Sequence, residues 1–434
     1  MELTKQKYKQ TEVGLIPEDW NLVPFDTVFS FYSTSNYSKA QMSEDDEVGC
    51  IHYGLIHALK NTMYDLKHGI KYYVTSEQAK CELVCDGDVI MVDASEDLEG
   101  VNKSVEVFGV GDNKYISGLH TYLLRDKKSL LADNFRGIIL NSQSVKNQML
   151  QLAVGMKVFG VSKTQLIKVK LPLPPTLKEQ KAIATALSDV DELISNLDQL
   201  ITKKKAIKQG TMQQLLAPPN KGGKRLAEFN GAWNEISIGN LTRNIIDYRG
   251  VTPKKLGMDW GNGDIVALSA GNVKKGYIDY GSECYYGSES LYKRWMRNGN
   301  VQKDDIVFTL EAPLGNVAII PDNRKYILSQ RTILLQLDKE KFSSQLLFQV
   351  LISDTFQNYI SASATGSTAQ GIKRTTFEKL LIEIPKSIQE QEAIAQILSD
   401  MDKEIMQLER KKAKYQDIKQ GMLQELLTGK TRLV

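Results

Sequence analysis

EQKAIATALSDVD, residues 179 to 191, returns almost letter for letter as EQEAIAQILSDMD at residues 390 to 402. Further along, IKQGTMQQLL at 207 to 216 returns as IKQGMLQELL at 418 to 427. Residue 390 lies 211 positions after 179, and 418 lies 211 after 207, so the block recurs with no insertion inside it. Solenoid repeats run to roughly 20 to 50 residues. A period this long describes two complete domains, each followed by the same long element.

That element reads as a helix. Pro-rich LPLPP at 171 to 175 stops the preceding structure, and Thr176 with Glu179 has the spacing of a capping box, as do Ser387 and Glu390 after Pro385. The next proline after Pro175 is Pro218, and none follows Pro385. Each helix can therefore run for ~40 residues, or ~60 Å at 1.5 Å per residue. Apolar residues recur in steps of four and three, at Ile183, Leu187, Val190, Ile194, Leu197 and Ile201, and again at Ile394, Leu398, Met401, Ile405 and Leu408. This spacing draws a narrow stripe on one face, as in a coiled coil. Each stripe can pack on its own domain or on the other helix. Two near-identical stripes in one chain favour an antiparallel helix pair.

Composition bounds the alternatives. The 434 residues are 42% hydrophobic and 25% charged, which is globular chemistry rather than that of a disordered chain. A net charge of +3 and a pI near 8.3 neither demand nor exclude a nucleic-acid partner. Of Cys50, Cys81, Cys85 and Cys284, only Cys81 and Cys85 are close, and no second ligand pair answers them as a zinc site requires, so structural thiols are expected. The opening MELTKQKYKQ has no apolar signal-peptide core, and no run of ~18 apolar residues could span a bilayer. A reduced, cytoplasmic protein is expected, without a membrane partner.

The remaining sequence forms two variable domains that share a skeleton. WNLV at 20 to 23 answers WNEI at 233 to 236, and DVIMVDA at 88 to 94 answers DIVFTLEA at 305 to 312. KYISGLHTYLL at 114 to 124 answers KYILSQRTILL at 325 to 335, and AVGMKVFGVSKTQL at 153 to 166 answers ATGSTAQGIKRTTF at 364 to 377. Short β-branched or aromatic runs bounded by Gly, Asp and Asn favour strands. The expected fold class is α+β, with mixed α/β domains at 1–172 and 219–383 and long helical segments at 173–218 and 384–434. GGKRLAEFNGAWNEI leads into the second domain, while the C-terminal GKTRLV and N-terminal TEVGLIPEDW would reproduce that linker if joined. The organisation is therefore a pseudo-twofold, circular repeat.

No catalytic constellation emerges. GKT at 429 to 431 fails as a phosphate loop, because Gln424 stands where its first Gly must be. GMDWGNG at 257 to 263 does not join a strand to a helix as dinucleotide binding requires. There is no Gly-x-Ser-x-Gly or His-Glu-x-x-His, nor an Asn-Pro-Pro-aromatic or Asp-Pro-Pro-aromatic site as in amino-group methyltransferases. His52 and His57 read as packing residues. A non-enzyme is expected, with no catalytic residue, metal or cofactor of its own.

Basic and polar loops offer a function instead. SFYSTSNYSKAQ at 30 to 41 supplies Tyr37 and Lys39; DYRGVTPKK at 247 to 255 supplies Tyr248, Arg249, Thr252, Lys254 and Lys255; AGNVKKG at 270 to 276 supplies Asn272, Lys274 and Lys275. The matching Gly-framed segments supply Lys157, Ser162, Lys163, Thr164 and Gln165 in the first domain. In the second they supply Ser367, Thr368, Gln370, Lys373, Arg374 and Thr375. Such side chains can reach phosphates and base edges, or they can simply build turns. The helical clusters at Lys203, Lys204, Lys205 and Lys208 and at Arg410, Lys411, Lys412 and Lys414 read as a solvated face, or as contact with DNA or a partner. A coiled-coil adaptor joining two protein-binding domains stays open beside DNA recognition.

LPLPPTLKEQKAIATALSDVDELI with its twin IPKSIQEQEAIAQILSDMDKEI, the opening TEVGLIPEDW, and GVTPKK with SAGNVKKG together resemble the specificity subunit of type I restriction-modification enzymes over nearly the whole chain. The resemblance implies two target-recognition domains, each reading one half of an asymmetric bipartite site in double-stranded DNA. It also implies an antiparallel helical spacer that sets the interval and docks two methylation subunits. Restriction subunits complete the assembly. S-adenosylmethionine, ATP and Mg are then expected on those partners and not on this chain.

Overall fold

The computed structural model describes residues 7–97, 100–155, 159–282, 284–329, 331–366 and 370–433. The chain divides into two compact units, one of Met1–Asp198 with Lys411–Val434, the other of Gln199–Arg410. Each long helix, Leu177–Leu215 and Ile388–Leu426, begins in one unit and ends in the other. The units thus divide both helical segments instead of leaving them as separate pieces.

In the first unit a five-stranded sheet runs in the order Phe29–Tyr32, Thr121–Asp126, Val89–Val92, Ser104–Phe108, Met63–Asp65, antiparallel except for its last pair. A three-stranded sheet of Lys114–Ser117, Val48–Ile51 and Tyr73–Val74 accompanies it. The second unit has a four-stranded antiparallel sheet ordered Thr242–Asp247, Thr332–Leu337, Ile306–Thr309, Val317–Ile319, and a three-stranded sheet around Ile265–Leu268. The anchors shared by sequence are these strands. DVIMVDA holds Val89–Val92, DIVFTLEA holds Ile306–Thr309, and all four residues of each strand are buried. Burial on both faces explains why these strands read as unbroken apolar runs rather than as alternating ones.

The helix ends are built into the cores. Ile183, Ala184 and Leu187 pack in the first core with Phe135, Ile139, Leu166 and Leu171, where Leu426 and Leu427 at the end of the second long helix join them. Ile394, Ala395 and Leu398 pack in the second core with Phe308, Phe356 and Phe377, joined by Leu215. Each such Leu or Ile, nearly free of solvent, contributes roughly 1.5–3 kcal/mol of burial. The leading stripe residues are therefore domain core as well as helix seam. Leu197, Ile201 and Ile405 are also buried, whereas Val190, Ile194, Met401 and Leu408 are half-buried.

Part of the lysine clusters joins the two helical segments: Lys204, Lys205, Lys208 and Lys412 pair with carboxylates across them, while Lys203, Arg410, Lys411 and Lys414 are exposed. In the first unit Lys419 pairs with Asp191 and Lys412 with Asp198. One partner's number rises as the other's falls, so the helical segments run antiparallel there. In the second unit Lys204 pairs with Glu404, Lys205 with Glu409, and Lys208 with Asp402.

The repeated Glu-Gln does the joining within each unit. Gln180 accepts the Ala132 N–H at 2.9 Å and donates to the carbonyls of Leu130 and Pro174, both at 3.3 Å. Gln391 accepts the Ser343 N–H at 2.9 Å and donates to Lys341 and Pro385. Glu179 and Glu390 take Arg432 and Arg225 respectively, each Arg lying just beyond the end of the opposite helix. Only half of the expected capping box forms. Thr176 and Ser387 accept the Glu179 and Glu390 N–H groups, but the carboxylates turn to arginine.

Candidate nucleic-acid interface

The Gly-framed segments place equivalent short helices at Lys163–Leu166 and Arg374–Phe377. In the first, the Ser162 N–H and hydroxyl both donate to Gln165 Oε1 at 2.9 Å, and Gln165 Nε2 donates to Leu152 O at 2.9 Å. Gln165 therefore frames the turn, leaving Lys163 and Thr164 exposed. Lys163 Nζ lies 5.4 Å from the Phe31 ring centre and 5.6 Å from that of Tyr122. Such cation–π contacts contribute about 0.5–1 kcal/mol at an exposed site and aim the ammonium without neutralising it.

At the equivalent place in the second unit the chemistry differs. Arg374 Nε donates to Glu378 at 2.5 Å, while Lys373, Thr375 and Gln370 are exposed. Nearby, Arg249 holds Asp247 through Nε–Oδ1 at 3.0 Å and Nη2–Oδ2 at 2.8 Å. Burial pushes the Asp247 carboxyl up, but the hydrogen bonds and charge of Arg249, with Arg374 beyond, outweigh it and hold the group below the usual carboxylate range. Two cations selected from sequence are thus already partnered by carboxylates.

Other candidates scatter in role. Lys39 is exposed with Nζ 5.3 Å from the Tyr72 ring centre, and Tyr37 packs half-buried on a small core of Val48, Cys50, Val74 and Ile116. Lys255 donates to Gly250 O and Lys274 to Gly271 O, both at 2.6 Å, and Lys275 lies 3.7 Å from Asp354. Thr252 accepts the Lys255 N–H, and Lys254 is exposed. Lys157, Ser367 and Thr368 lie outside the described residues.

Two expectations are corrected. Tyr248 is 5% exposed in the second unit's core, where its hydroxyl accepts the Asn298 N–H at 2.7 Å. Asn272 is fully buried. Its amide accepts the Ser269 N–H and donates to Ala267 O, both at 2.8 Å, so it closes its own loop. Neither side chain is available to a duplex.

Sequence reading missed Trp260, Tyr285, Trp295 and Arg331, which line a cleft in the second unit. Trp260, Tyr285 and Trp295 fall between the shared anchors, where no internal twin marks them, and Arg331 stands inside an anchor whose twin carries His120 in its place. It also missed the roles of Arg225 and Arg432, whose signal was present as Lys-Arg-Leu at 224–226 and Thr-Arg-Leu at 431–433.

Among the described residues no group of three or more His, Cys, Asp or Glu could hold a metal ion, and no helix is long and apolar enough to cross a membrane. The cysteines are free, and burial pushes the Cys50 thiol up to about 11, as suits a packing residue rather than a nucleophile.

The chain thus consists of duplicated α+β domains, each containing part of two long helices, with unlike loops at matching positions. The chain matches the type I restriction modification DNA specificity domain twice, at residues 17–209 and 231–416, and it belongs to that family. It is 26% identical over 99% of its length, and 97% of the relative's, to a putative type I restriction enzyme MjaX specificity subunit of Methanocaldococcus jannaschii. It is 25% identical, over the same shares, to the MjaVIII specificity subunit of that organism. Its fold is similar to that of the type I restriction-modification S subunit from M. genitalium, with a TM-score of 0.59 at 15% identity over 94% of this chain and 96% of that one. A chain from a study of type I R-M complex assembly and conformational transition gives 0.54 at 14% identity, covering 95% and 98%.

Proposed function

We propose that this chain selects the DNA sequence for a type I restriction-modification complex. Each recognition domain reads one half of an asymmetric bipartite site. The observation that carries this reading is the family match itself, which occurs once per repeat while the loops between shared strands differ. Unlike loops on a like scaffold suit unlike half-sites. The exposed Lys163 and Lys373 supply phosphate contacts.

The chain performs no bond-breaking. S-adenosylmethionine, ATP and Mg belong to two methylation subunits and the restriction subunits, in the cytoplasm. The long helices dock the methylation subunits, and their length sets the interval between half-sites. The test is a gel shift of the chain with its methylation subunits on random and selected duplexes, followed by mapping of modified adenines. Binding without sequence preference would favour the protein-binding adaptor. Insertion of a helical turn within residues 183–201 should change the tolerated interval; an unchanged interval in a methylation assay would sink the ruler role.

A further inference from the structure

The second unit holds a cleft of about 540 Å³ with an aromatic wall. Trp260 lies on Tyr285 with ring centres 5.6 Å apart and planes 25° from parallel, and on Trp295 at 5.4 Å and 36°. Trp295 is 3% exposed and Tyr285 is 50% exposed, so the aromatic surface runs from the core out to solvent. Exposed Lys254 and Arg331 stand in the same lining, with Ser269 and Asp259.

This arrangement has the chemistry of a nucleotide site. An aromatic pair open at its outer end offers a face, which a planar base satisfies by stacking, whatever its identity. The neighbouring cations suit a phosphate, and the hydroxyl and carboxylate suit the polar edge of a base. A cleft of this volume is of the size that encloses a small ligand. Thr252 and Lys254 belong to the 247–255 loop, and Ala270 and Gly271 to the 270–276 loop, so loops of the candidate interface also form the cleft. A base paired in a duplex shows only its edge in the grooves. One that lies on an aromatic face has to leave the stack.

We propose that this cleft takes one unstacked nucleobase of the bound DNA, laid on the Trp260–Tyr285 pair, with Lys254 and Arg331 meeting its phosphate. The proposal rests on the DNA-recognition reading above and adds a subsite to it. The test uses the full chain with its two methylation subunits, on duplexes carrying the mapped target and on a series each lacking one base of a half-site. Tyr285→Ala removes a half-exposed ring and leaves Trp260 and Trp295 in place. It should bind intact duplex about tenfold more weakly, the scale of one base–aromatic stack. It should equal the unaltered protein on the duplex that lacks one particular base. A penalty that is absent, or the same on every duplex of the series, overturns the proposal. Loss of sequence preference by the unaltered complex would instead overturn the DNA reading. Titration of tryptophan fluorescence with deoxynucleoside monophosphates separates the other source: saturable quenching that persists with DNA bound assigns the cleft to a free nucleotide and overturns a DNA-presented base, whereas quenching abolished by target DNA, or none, supports it.

Discussion

Arg225, in the linker after the first long helix, grips Glu390 at the start of the second through Nε–Oε1 at 3.0 Å and Nη2–Oε2 at 2.8 Å. Arg432, in the tail after the second helix, grips Glu179 in the same way and reaches Asp19 at 2.9 Å. Both glutamates are 1% exposed. Removing one partner of such a pair strands a charge in the interior, at a cost of about 3–5 kcal/mol. Arg225→Ala should therefore lower the urea midpoint of the second unit by that equivalent, and Arg225→Met combined with Glu390→Leu should recover most of it. An unchanged midpoint for Arg225→Ala would show that the pair holds nothing together.

Gln391 fixes the approach of the second long helix to the chain around Ser343, and Gln180 does the same around Ala132. Each amide satisfies one N–H and two carbonyls in places with little water. Gln391→Ala leaves those groups unpaired, at about 1–3 kcal/mol for a buried donor. Gln391→Glu should be at least as harmful, because a carboxylate cannot donate to the Lys341 and Pro385 carbonyls. Hydrogen exchange at the Ser343 amide is the direct measure. Gln391→Ala should speed it, and protection equal to the parent's in that variant would remove Gln391 from this role.

Fold was legible where the chain repeats itself. The 211-residue displacement survives in three dimensions, since Gln180 with Ala132 and Gln391 with Ser343 make the same contact one period apart. The strands at Lys114–Ser117 and Tyr326–Leu328 likewise fall in matching runs. The candidate interface was less legible because composition does not separate a loop's outward residues from those that build it. Tyr248 and Asn272 have interface chemistry but point their polar atoms at their own backbone. Conversely, Trp260 and Tyr285 become a surface only when chain distant in sequence is brought together.

His52 predicts a pH dependence. Its ring is buried, and its Nδ1 accepts the Gly54 N–H at 3.2 Å to cap the helix Tyr53–Ala58. Burial, with the charges of His120 and Lys39, lowers its pKa in the folded chain. The unfolded chain then binds the proton more readily, so stability is full above the unfolded value of about 6.5 and declines as pH falls below it. His57, lowered by burial and Lys103 against Asp97, adds in the same direction. The melting temperature should drop between about pH 6.5 and pH 5. His52→Asn, which keeps a capping acceptor that does not titrate, should flatten that decline. The same slope in parent and variant would place the proton elsewhere.

Lys163 and Arg374 stand one period apart yet should contribute unequally to DNA binding. Lys163 rests on the faces of Phe31 and Tyr122, which leave its full charge for a phosphate. Arg374 is held by Glu378 and lies within the field of Asp247, so a phosphate must compete with carboxylates for it. Replacing a free phosphate contact reduces the slope of log K against log salt by about 1. Lys163→Ala should show that reduction, and in the second unit the exposed Lys373 should show it in place of Arg374. Arg374→Ala should leave the slope nearly unchanged while lowering stability slightly through the lost pair. Equal slopes for Lys163→Ala and the parent complex would make that turn purely structural. A full unit lost with Arg374→Ala would mean that DNA displaces Glu378, bringing the two repeats into the same chemistry after all.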